Sequence, residues 1–145
     1  MDQWKLHIQS GNRHFLEKRY LEAEQDYNKA ILRARKIFPA WFNRQQAVAA
    51  LVVSYHNQAD VFNAQKLFSK SEDMLREGYE FLQHAAAKQP VDDALMSGLR
   101  CSYTQLLKHI KSHGSRNNYV PQPFDFRMSS TSHPEIEVTQ NVPTR

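Results

Sequence analysis

A single cysteine, Cys101, is all the thiol chemistry in 145 residues. It excludes an internal disulfide framework and a cysteine-based metal cluster. Glycine is scarce too, with 4 residues. Because glycine punctuates turns and strands, this scarcity favours long unbroken helices. No apolar run approaches the ~20 residues of a membrane-spanning helix; the longest, Ala47 to Val53, is far shorter. The opening "MDQWKLHIQSGNRH" has no charged-then-apolar pattern, so no secretory signal is expected. A glycine-rich phosphate loop, a Ser/His/Asp arrangement and the HExxH pattern are also absent. These absences lead us to expect a cytoplasmic, non-catalytic protein with no cofactor, no metal and no membrane partner.

What is present is polar and mildly basic. The mean hydropathy is −0.69, and the formal net charge is +4. Residues 1–112 hold 16 Lys+Arg against 12 Asp+Glu, while the remainder holds 3 of each, so the excess lies in the first part. Arg33, Arg35, Lys36 and Arg44 are its densest cluster. A regulatory nucleic-acid binder would use these four. Cations closing a helix and complementing its dipole are the simpler account, and no nucleic-acid partner is expected.

Apolar residues recur at the helical period in five segments. The first starts at Asp2 and carries Trp4, Ile8, Gly11 and Phe15. The second, after a turn at Glu17–Arg19, carries Tyr20, Ala23, Tyr27, Ala30, Ile31, Ala34 and Ile37, and Pro39 separates it from the next. The third reads Trp41, Val48, Leu51, Val52, Tyr55, Ala59 and Phe62. A turn near Asn63–Lys66 leads to Leu67, Phe68, Ser71, Leu75, Gly78, Tyr79, Leu82 and Ala85. After Pro90 the fifth shows Leu95, Leu99, Ser102, Leu106 and Ile110, with Asp92 or Asp93 at its start. No segment alternates long enough for a strand. The expectation is an all-α domain over 1–112 and an irregular tail over 113–145, where serine, asparagine and proline dominate.

Short connections between long helices imply antiparallel hairpins, and the two hairpins are self-similar. Gly11-x11-Ala23-x6-Ala30 returns as Ala59-x11-Ser71-x6-Gly78, with Tyr20, Tyr27 and Ile31 matched by Phe68, Leu75 and Tyr79. Small residues meet small ones and large meet large. This pattern resembles the tetratricopeptide repeat (TPR) family, whose small residues let paired helices approach closely. The likeness covers residues 1 to about 88, and the fifth helix then acts as a cap. In length and arrangement the chain also resembles a small uncharacterised TPR-like family of Vibrio-type bacteria. Two departures stand out. Lys18–Arg19 and Lys66–Leu67 occupy the turn positions where the family favours glycine and a capping residue. Matching positions lie 48 residues apart, about 14 more than the usual ~34, or close to four helical turns. The hairpins should therefore be longer than usual and remain in register.

The resemblance implies a concave groove that holds a peptide or helix, formed by Lys5, Ile8, Asn12, Phe15 and Leu16 with Val53, His56, Asn57, Asp60 and Asn63. The implied function is a non-catalytic protein-interaction module, an adaptor or chaperone-like factor, with an unidentified protein or peptide as partner. Homo-oligomerisation through the hairpins or the tail is the alternative. One TPR sub-family grips carboxylates; Asn12 and Asn57 match its asparagines, but Ile8 replaces its first lysine, and Arg100 is a candidate for a later basic position.

Other candidates reduce to structural roles. His7/His14 and His109/His113 have metal-like spacings but no third ligand, and are expected to be solvated. Cys101 is expected to be a buried small apolar group. In the tail, "NYVPQPFDFRM" concentrates Tyr119, Phe124 and Phe126 among prolines, which suggests packing on the helices or in the groove.

Overall fold

The computed structural model describes residues 1–124 and is all-α, with five helices in chain order and no strand among the described residues. They are α1 (Asp2–Leu16), α2 (Tyr20–Ile37), α3 (Arg44–Ala64), α4 (Phe68–Lys88) and α5 (Asp93–His113). α1 and α2 form one antiparallel hairpin, α3 and α4 a second, and α5 packs against both α4 and α3. The core runs through the stack: Ile31, Leu51, Tyr55, Tyr79, Leu82, Leu95, Leu99 and Leu106 are all buried. A second cluster, of Ile8, Ala23, Tyr27, Ala30 and Val61, joins the first hairpin to α3.

Interleaved small and large residues set the closeness of each hairpin. A methyl group at Gly11 would fall 2.5 Å from Cε1 of Tyr27, so the α1–α2 contact requires glycine there. Gly78 faces Tyr55 across α3 and α4 less tightly: a Cβ there would lie 3.1 Å from Tyr55 Cβ. Each hairpin thus has a glycine pressed against a tyrosine, but on opposite members: Gly11 on the leading helix α1 and Gly78 on the trailing helix α4, so the 48-residue offset does not superpose the two contacts.

Both hairpin turns end their first helix in the same way. The Lys18 amide donates to the Phe15 carbonyl and the Arg19 amide to that of His14; Lys66 donates to Asn63 and Leu67 to Phe62. These paired bonds are the Schellman arrangement, whose residue beyond the cap adopts the left-handed conformation. Lys18 and Lys66 occupy it, with φ of 61° and 62°. Neither following helix has a side-chain cap at Arg19 or Leu67.

Elsewhere the caps are conventional. Asn43 accepts from the Gln46 amide to start α3, and Asp92 accepts from the Leu95 amide to start α5. Trp41, expected inside the third helix, lies outside it: a short 3-10 turn at Phe38–Ala40 contains Pro39, and Trp41 is extended beyond it. Its indole donates to Gln46 Oε1 at 3.0 Å.

After α5 the chain reverses at Gly114 (φ 77°) and returns along α4 and α5. Ser115 donates to Glu72 at 2.6 Å, the Arg76 guanidinium lies 3.9 Å from the Tyr119 ring centroid, and Tyr79 donates to the Gln122 carbonyl at 2.6 Å. Pro121 is fully buried. Residues 115–122 therefore run alongside α4, against Glu72, Arg76 and Tyr79.

Candidate functional site

α1 and α3 run parallel, because Trp4 donates to Ser54 at 2.6 Å while Ile8, farther along α1, joins Val61, farther along α3. α3 and α5 lie side by side in the same sense, and two adjoining cavities open between them. The first, about 480 Å³, is lined by Gln45, Val48, Ala49, Val52 and Val53 from α3 and by Asp93, Ala94, Ser97, Gly98 and Cys101 from α5. The second, about 300 Å³, is lined by His56, Ala59, Asp60 and Asn63 from α3, Leu75 from α4, and Gln105, Lys108, His109, Ser112 and His113 from α5. One groove thus passes from an apolar end to a polar end.

Gly98 allows the two walls to come this close: a Cβ at that position would collide with Val48. The wall residues of α5 fall at steps of four or three, Asp93, Ser97, Cys101, Gln105, Lys108 and Ser112, one stripe beside the buried leucines. At the polar end burial acts against charge. It pushes the His56 imidazole below its ordinary range and the Asp60 carboxyl above its own. His109 is also held down, first by burial and then by His113 beside it, although its bond to the Phe68 carbonyl (3.0 Å) opposes the shift. The Asn63 amide oxygen is buried with no hydrogen-bond partner among the described residues.

Of the residues expected in the groove, Val53, His56, Asp60 and Asn63 line these cavities. Lys5, Asn12, Phe15, Leu16 and Asn57 line neither. Asn12 accepts from the Tyr27 hydroxyl, which burial pushes up to about 12, and Phe15 rests against Tyr20 with ring centroids 5.8 Å apart. Ile8 requires correction: it is 9% exposed and packs in the second core cluster, because its position on α1 points at α2 and α3.

Three further expectations also change. Cys101 is exposed and lines the apolar cavity, since the Leu95/Leu99/Leu106 stripe, not the cysteine, faces the core. His109 is buried rather than solvated, and His113 stacks on Phe68 at 4.0 Å. His14 pairs with Asp26 at 2.7 Å. Among the described residues no group of three or more His, Cys, Asp or Glu could hold a metal ion. The α5 wall is not singled out by sequence, because its polar residues look like an ordinary solvated helix face; their four- and three-residue steps beside the leucine stripe are the available signal.

The described part of the tail after Gly114, residues 115–124, packs outside the groove. Tyr119 lies beneath Arg76, and Phe124 lines a 190 Å³ cavity with Pro123, Tyr79, Leu99, Arg100 and Tyr103. Phe126 lies outside the described residues. In the basic cluster, Arg35 donates to the Tyr55 hydroxyl and lies over Phe81, and Arg44 donates to the Phe38 carbonyl. No helix among the described residues is long and apolar enough to cross a membrane.

Residues 2–134 match the family described as "Protein of unknown function (DUF2753)", and the chain belongs to that family. No curated protein and no solved structure matches it.

Proposed function

Starting from a family with no assigned activity, we propose that the chain is a TPR-like, non-catalytic interaction module acting in the cytoplasm. It holds a peptide or helix of a protein partner in the groove between α3 and α5, as an adaptor or chaperone-like factor. The observation that carries this reading is the groove itself: two adjoining cavities, apolar then polar, walled by side chains largely spared from the core. Pockets of this kind, with a few placed polar groups, suit extended or helical ligands. The nucleic-acid alternative loses support because Arg35 and Arg44 are already engaged internally.

Affinity capture from the native cell tests the reading, comparing wild type with Val53→Asp and with Leu21→Asp on the exposed face of α2. Loss of partners with Val53→Asp alone is the expected result. Recovery of the same partners by all three proteins would remove the groove assignment.

A second reading, self-association by tail exchange, is favoured by Gly114, whose positive φ and open surroundings among the described residues suit a hinge. Size measurement with and without residues 114–145 tests it: an unchanged monomer disposes of exchange.

A further inference from the structure

The lining of the groove also specifies what kind of peptide fits it. Among the described residues the polar cavity is lined by Lys108 and Asp60 and the apolar cavity by Asp93, a formal charge of +1 − 2 = −1 over the whole groove with histidines neutral. Burial opposes any added charge at His56 and His109. A ligand carboxylate would lose its hydration in a groove with no compensating excess of cations, which is unfavourable.

The remaining polar groups are neutral. Gln45, Asn63 and Gln105 are primary amides, each offering a donor and an acceptor side by side. That pairing complements a peptide unit, which presents N–H and C=O together; a carboxylate can only accept. Among the described residues the Asn63 oxygen is buried without a partner, so it calls for an N–H donor, and a backbone amide supplies one. From Gln45 to Asn63 the wall covers 18 helical steps, about 27 Å, the span of roughly eight extended residues.

We infer that the groove takes an internal, extended, uncharged stretch of polypeptide, read through its backbone amides and apolar side chains, and not a chain-terminal carboxylate. This rests on the groove reading above. The apolar cavity holds side chains against Val48, Val53 and Gly98, and the polar cavity binds the next peptide units at Asn63 and Gln105.

The test uses two libraries of short random peptides against the full chain. One is displayed between folded flanking domains, with no free terminus; the other ends in a free carboxylate. Selected peptides are then synthesised as free acids and as C-terminal amides, and their affinities measured by fluorescence anisotropy. The expected result is enrichment from the internal library, with amidation changing Kd by less than about twofold. Val53→Asp should weaken binding by more than about tenfold and Asn63→Leu by several-fold, with helical circular dichroism retained. Enrichment only from the free-carboxylate library, or a loss of about tenfold on amidation, overturns the inference and leaves the groove reading standing. Enrichment from neither library removes both.

Discussion

Replacing Lys18 and Lys66 with glycine should stabilise the protein. Each lysine closes a Schellman turn with φ near +60°, a conformation that costs a residue with a Cβ about 1–2 kcal/mol. Glycine relieves that cost but loses ~0.4–1 kcal/mol through the greater freedom of its unfolded chain. The net gain is about 0.5–1 kcal/mol per turn, and roughly 1–2 kcal/mol for the pair if the two turns act independently. For a chain of this size that corresponds to a rise in Tm of about 3–6 °C. Thermal unfolding followed by circular dichroism measures it, with Lys18→Ala as the control. Alanine carries the same backbone penalty and should leave Tm close to wild type. If both glycine variants melt at or below wild type, the left-handed turns store no such strain and the reasoning fails.

Ser54→Ala removes the acceptor of the Trp4 indole inside the α1–α3 contact. It should cost about 1–3 kcal/mol in urea unfolding, with Trp4 fluorescence reporting the change. Glu72 is 3% exposed; burial acts to raise its carboxyl, but bonds from Ser115, Arg76 and the Arg116 amide outweigh this and hold it below its ordinary value. Its contribution is therefore present above the unfolded pKa of 4.5 and lost as pH falls through the lower folded value. Glu72→Gln should cost roughly 1–3 kcal/mol and expose residues 114–124 to proteolysis at neutral pH. His56 and His109 have folded pKa values below 6.5, so the unfolded chain binds protons first. Stability should fall as pH drops below about 6.5, and a His56→Gln/His109→Gln double variant should flatten that slope in urea titrations. Cys101 should react fully with a thiol reagent in the native state, and a bound groove peptide should slow it.

Most of the scaffold was legible because burial at a helical period leaves its mark on residue type. The stripe Leu95, Leu99, Ser102 and Leu106 is buried as its spacing predicts, and Gly11, Ala23 and Ala30 are buried where close approach requires small side chains. The end of α2 was harder to read. Pro39 marks a break but not its length, so Trp41 was assigned to a helix that Asn43 begins. The site was only half legible. Val53, His56, Asp60 and Asn63 on α3 line the candidate groove as cavity residues, whereas the α5 wall escaped because polar positions on a capping helix resemble ordinary solvated ones. Ile8 shows the opposite failure: an apolar residue beside a groove stripe went to the core. Family position could not reveal this, since a step of one residue on a helix turns the side chain by about 100°.

The glycine at position 98 has a consequence of its own. A Cβ there would meet Val48 Cγ1 at 2.4 Å, so α3 and α5 stand as close as a position without a side chain allows. Gly98→Ala would force the two helices apart or push Val48 into the apolar cavity that it lines. A single methyl group would thus reset the width of that cavity without touching a polar group of its lining.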